Sequence, residues 1–118
     1  MEATSACGFA ATKPENTVSP EEFAIKIKSP EIYLVDVRKP EEFADGHIEG
    51  AANLDVTSET FESDAEKSLP KDKTIAVYCG TGRRSAMAAE KLLKLGFKIL
   101  NLDGGLNAWT KAGLPVVK

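Results

Sequence analysis

The chain has 118 residues, 42% hydrophobic and 28% charged, enough for one domain with its own core and no need of disulfide staples. Fifteen Lys and Arg against 18 Asp and Glu leave a net charge of −3, which argues against nucleic acid as a partner. No apolar run approaches the roughly 18 residues of a membrane span, and Cys7, Cys79 and His47 match neither a disulfide framework nor a metal site.

Residues 1–15 are small, polar and aperiodic and read as a flexible tail carrying Cys7, ahead of one domain over 16–118. Val18 ends a short extended piece. Ser19-Pro20-Glu21-Glu22 then starts a helix, with Ser19 as N-cap, proline at the first helical position and Glu22 closing a capping box. Phe23, Ile25 and Ile27 carry it to about Lys28, and Ser29-Pro30 stops it. The run from Ile32 to Val37 is almost wholly apolar and β-branched, which suits a strand buried on both faces. A short helix follows over 40–44, stopped at Gly46, then a short strand over 51–54 and a polar surface helix over 57–67. Leu69-Pro70-Lys71-Asp72 turns the chain into a strand over 74–78. Ala86, Met87, Ala89, Leu92, Leu93 and Leu95 recur at helical spacing, and Gly96 closes that helix. A strand over 97–102, a turn at Asp103-Gly104-Gly105 and a last helix over 106–111 carrying Trp109 complete the chain. Strands alternating with helices imply a parallel sheet covered on both faces, with ligands beyond the carboxyl ends of the strands. Cys79 stands at that end of what should be a central strand.

The segment Tyr78-Cys79-Gly80-Thr81-Gly82-Arg83-Arg84-Ser85 places a thiol between a strand and a helix. Three features there should favour a thiolate. The helix from about Ser85 offers its unpaired N–H groups and positive dipole end. Gly80 and Gly82 let successive amides converge into an anion nest. Arg83 and Arg84 add fixed positive charge. Such a loop joins a nucleophile to an anion site, the logic of covalent catalysis on sulfur or phosphorus. The spacing from Cys79 to Arg84 is C-x4-R, one residue shorter than the C-x5-R of cysteine-dependent phosphatases, and favours a single sulfur over a phosphate.

Four ordered blocks, spanning about residues 17–117, carry a resemblance. They are Leu34-Val35-Asp36-Val37-Arg38 with Pro40-Glu41-Glu42-Phe43; Gly46-His47-Ile48-Glu49-Gly50-Ala51-Ala52-Asn53; Val77-Tyr78-Cys79-Gly80-Thr81-Gly82-Arg83-Arg84-Ser85-Ala86; and Leu102-Asp103-Gly104-Gly105-Leu106-Asn107-Ala108-Trp109. The sequence resembles a single-domain rhodanese, a sulfurtransferase homology domain. The resemblance implies an α/β fold with a central, mostly parallel five-stranded sheet and helices on both faces. It implies that Cys79 takes sulfane sulfur from a small donor such as thiosulfate or a persulfide, and passes it to cyanide, a thiol or a protein. Under it the loop of Gly80, Thr81, Gly82, Arg83 and Ser85 cradles the persulfide, with Arg84 holding the loop and orienting oxyanions and Arg83 facing outward. Asp36 and Arg38 brace, and His47 pins a loop. No metal or organic cofactor is implied.

Blander roles stand beside these. Arg84 has a salt bridge with Asp36 or Glu42 open to it, Glu41 and Glu42 read as caps or solvated groups, and Trp109 reads as core or pocket-rim packing. Cys7 has the resolving of a persulfide or disulfide on Cys79 open to it. A persulfide carrier or adaptor for a partner protein is the alternative function, and a phosphatase or arsenate reductase the less favoured one. A monomer is expected, in the cytoplasm, or in the periplasm if a leader is removed.

Overall fold

A computed structural model describes residues 16–118. Its elements in chain order are β1 (Thr17–Val18), α1 (Pro20–Lys26), β2 (Ile32–Asp36), α2 (Pro40–Asp45), β3 (Ala52–Asn53), α3 (Phe61–Ser68), β4 (Thr74–Tyr78), α4 (Arg83–Lys94), β5 (Lys98–Leu102) and α5 (Gly105–Lys111). The sheet runs β1-β5-β4-β2-β3 and every strand pair is parallel, where a mostly parallel sheet was expected. The one antiparallel pairing among the described residues is an isolated bridge between His47 and Val117, outside the strands.

β4 is central and pairs along its length with β2, from Ile32 opposite Thr74 to Asp36 opposite Tyr78, and with β5, from Thr74 opposite Lys98 to Val77 opposite Asn101. Its side chains alternate between two cores, as the pleat requires. Ile75, Val77 and Cys79 face α3 and α4, packing with Phe61, Ala65, Ala88, Ala89 and Leu92. Ala76 and Tyr78 face α1 and α5, where the rings of Phe23 and Trp109 meet edge to face at 6.3 Å. Trp109 is a core residue, as its helical spacing from Leu106 suggested.

Helix starts show which local signals win. At α1, Ser19 caps as expected, its Oγ accepting the Glu22 N–H at 3.2 Å. α1 ends at Lys26, slightly short of the expected Lys28. The helix expected over 57–67 begins only at Phe61, because Asp55 and Ser58 hold the preceding residues in turns. The Asp55 carboxylate accepts from Thr57 N–H at 2.8 Å, and Ser58 Oγ accepts from Thr60 N–H at 3.2 Å. Such short polar side chains compete with helix. Nor is α3 only a polar surface helix: Phe61 and Ala65, one turn apart, are fully buried against α4 and the sheet.

Candidate functional site

The loop from Cys79 to the start of α4 lies at the carboxyl end of β4, as expected. α4 begins at Arg83, two residues earlier than the sequence pattern suggests, with Gly82 as its N-cap. Gly82 has φ +104, a conformation that L side chains rarely adopt, and its N–H lies 3.0 Å from Cys79 Sγ. Ser85 is fully buried; its Oγ lies 3.7 Å from Cys79 Sγ and donates to the Gly82 carbonyl at 3.2 Å. The first-turn amides of Arg83, Arg84 and Ser85 have no intrahelical acceptor and open on the same loop. Thr81 and Arg83 are exposed at its rim, and Arg83 has no ion-pair partner among the described residues.

Cys79 itself is 0% exposed and belongs to the α3–α4 core cluster. The sulfur is covered, but not sealed in apolar packing, since an amide and a hydroxyl meet it from the loop side.

The Arg84 guanidinium lies against Gly80 of the loop and is held in a two-pronged pair with Glu42 of α2. Its Nη1 donates to Oε1 at 2.7 Å and its Nη2 to Oε2 at 3.0 Å. Of the two partners open to it in the sequence, Glu42 is the one used. The Arg84 hydrogen bonds draw the Glu42 carboxyl down from 4.5 to about 2; partial burial opposes this, and the Lys39 N–H, at 3.2 Å, adds to it. The same pairing raises the Arg84 pKa. Glu42 thus caps α2 and anchors the loop together, combining the cap and the Arg84 partnership that were each open to it in the sequence.

Asp36, fully buried at the end of β2, is held by Arg38 instead. Arg38 donates to it from the backbone N–H at 2.9 Å, from Nε at 3.0 and 3.1 Å and from Nη2 at 2.8 Å. Arg38 Nη2 also donates to the Gly46 carbonyl at 2.6 Å. Burial alone would lower the Arg38 pKa, but the bonds and charge of Asp36 outweigh it and the net direction is upward. His47 stacks on Phe43 with ring centroids 3.7 Å apart, and its Nδ1 donates to the Phe43 carbonyl at 2.8 Å. A carbonyl only accepts, so Nδ1 carries the proton. Asp36, Arg38 and His47 form a frame around α2, the helix that holds Arg84.

Two contributors were not singled out in the sequence. Tyr78, the last residue of β4, is fully buried, and its hydroxyl accepts the Ile48 N–H at 3.0 Å. Burial, and then the charge of Asp36, push its pKa upward. The start of α5, expected as a plain turn at Asp103-Gly104-Gly105, touches the loop directly: Leu106 N–H donates to the Cys79 carbonyl and Asn107 N–H to the Gly80 carbonyl. Cys7 and the expected tail lie outside the described residues.

The family profile described as Rhodanese-like domain matches residues 19–112. A sulfurtransferase of Allochromatium vinosum is 35% identical over 104 residues, covering 86% of this chain and 94% of that protein. The slr1261 protein of Synechocystis is 34% identical over 109 residues, and the chain spans 59% of its length. Among solved structures, a rhodanese-related protein of Thermoplasma volcanium superposes with a TM-score of 0.72 at 32% identity, covering 86% of this chain and 97% of that one. With its profile match covering β2 to β5, the loop and α5 alike, the chain belongs to the rhodanese-like domain family.

Proposed function

We propose that the protein is a sulfurtransferase that carries sulfane sulfur as a persulfide on Cys79. The observation that carries this is the Gly82 N–H at 3.0 Å from Cys79 Sγ, inside a loop of only four residues between Cys79 and Arg84. An amide aimed at sulfur stabilises negative charge there, in the thiolate and again in the persulfide. The sulfurtransferase relative at 35% identity supports the reaction class.

With thiosulfate as donor, the Cys79 thiolate attacks the outer sulfur. The new Cys79 S–S bond forms as the donor's S–S bond breaks, and sulfite leaves with the electron pair. A thiophilic acceptor then attacks the outer sulfur of the persulfide. With cyanide a C–S bond forms, thiocyanate departs, and the thiolate is restored. The Gly82 amide and the first-turn amides of α4 hold the charge. Arg84, tied to Glu42, keeps the loop closed, while exposed Arg83 attracts an anionic donor. Ser85 faces the sulfur from below the loop.

A second reading, a persulfide carrier serving a partner protein, draws support from the full burial of Cys79, which limits access of free small donors to the sulfur. Thiosulfate and cyanide decide between them. The enzyme reading expects thiocyanate from the wild type and none from Cys79→Ser. A silent wild type that still accepts sulfur from a protein persulfide would favour the carrier. Hydrolysis of an aryl phosphate at a comparable rate would contradict both.

A further inference from the structure

The sulfur of Cys79 lies on the α3–α4 side of the sheet, whereas α5 packs on the opposite side, with Trp109 in the other core. From there two α5 amides reach across to the loop. Leu106 N–H donates to the Cys79 carbonyl at 2.7 Å and Asn107 N–H to the Gly80 carbonyl at 2.9 Å. No peptide bond among the described residues is cis, and a trans peptide sets its N–H opposite its C=O. With both carbonyls drawn toward α5, the N–H groups of Gly80 and Thr81 turn the other way, to the side where the sulfur lies. A hydrogen bond accepted at each carbonyl also polarises the N–H of the same peptide.

Gly105 is what lets α5 come this close. It has φ +63, and a Cβ there would stand 2.6 Å from the Cys79 carbonyl oxygen and the Gly80 carbonyl carbon, and 2.7 Å from the Gly80 oxygen. These are backbone atoms with no rotamer to yield. We infer that Gly105 and the amides of Leu106 and Asn107 are positioning groups for the Cys79 loop, turning the Gly80 and Thr81 amides onto the sulfur. The inference rests on the sulfur-carrying role proposed for Cys79. It makes the glycine pair that looked like a plain turn part of the anion nest.

Asn107 offers a test. Its side chain is exposed, and as the third residue of α5 its N–H has no intrahelical acceptor, so proline breaks no bond within the helix, while its Cδ takes the place of the hydrogen that meets the Gly80 carbonyl and pushes that carbonyl aside. Asn107→Pro removes the donor to Gly80, while Asn107→Ala removes the same side chain and keeps the donor. Two readouts are followed: persulfide formation from thiosulfate, by intact mass, and alkylation of Cys79 by iodoacetamide as a function of pH. Persulfide formation in Asn107→Pro is expected to fall about tenfold, less than the hundredfold or more typical of deleting an anion-hole donor outright, with its alkylation profile displaced to higher pH. Asn107→Ala is expected to stay within about twofold of wild type on both, because the donor remains. A folded Asn107→Pro that matches Asn107→Ala on both readouts overturns the inference. If wild type gains no sulfur at all, the alkylation profile still decides: a displaced profile keeps the positioning role and sinks sulfur transfer, and an undisplaced one sinks the positioning role. Should Asn107→Pro fail to fold, the amide resonances of wild type serve. Those of Leu106 and Asn107 must shift together with those of Gly80 and Thr81 when Cys79 is alkylated, and stationary Leu106 and Asn107 signals overturn the inference.

Discussion

At the scale of residues, the Arg84–Glu42 ion pair ties the loop to α2. The Glu42 carboxyl is lowered from 4.5 in the unfolded chain to about 2 in the fold. Its contribution to stability is therefore complete above about 4.5 and fades as pH falls toward 2. Glu42→Gln should melt below wild type at neutral pH, and the gap should close across that acid window; a gap that stays constant down to pH 2 would remove the pair from the account. Arg84→Lys keeps the charge but not the fork that grips both carboxylate oxygens. Its rate of persulfide formation should fall by about tenfold, or ~1.4 kcal/mol of barrier, as measured by single-turnover mass spectrometry. An unchanged rate would mean that the loop needs only a cation at position 84. The cysteine, glycines and arginines of this loop were legible in sequence because local geometry and charge dictate them. The partner of Arg84 was not, because it lies 42 positions away and only the fold decides between two nearby acids.

At the scale of elements, α3 and α5 are where sequence pattern and structure part. α3 was legible as a helix, but its charged residues hid the short apolar face of Phe61 and Ala65, which is too brief to give a clear period. Phe61 is fully buried against α4 and the sheet, so Phe61→Ala should cost about 3–5 kcal/mol in denaturant unfolding. A cost below about 1 kcal/mol, the range of exposed positions, would show that α3 is peripheral after all. α5 was legible as a helix whose tryptophan packs inward. Its contact with the loop was not, since it requires β4 and β5 to be neighbours in the sheet, a fact of topology rather than of local sequence. β1 and β3 are two residues each; the extended piece ending at Val18 and the short strand over 51–54 were expected, and the longer central strands give both an edge to pair with.

At the scale of the molecule, the strand order puts β4 between β2 and β5, so that its carboxyl end is surrounded. α4 supplies amides from one side of the sheet and α5 holds carbonyls from the other. The segment after β2 brings Glu42 to Arg84, and Asp36, Arg38 and His47 fix that segment in turn. Tyr78 ties the last residue of β4 to Ile48 beyond it. Within this enclosure the Cys79 side chain is fully buried, with the Gly82 amide and the Ser85 hydroxyl beside its sulfur. The most direct measurement is the intact mass of the purified protein before and after thiosulfate, with Cys79→Ser alongside. Wild type should gain the mass of one sulfur atom, lose it again on addition of cyanide, and Cys79→Ser should gain nothing; a wild type whose mass does not change with thiosulfate or with a protein persulfide, or a Cys79→Ser protein that gains the same sulfur, would contradict the account.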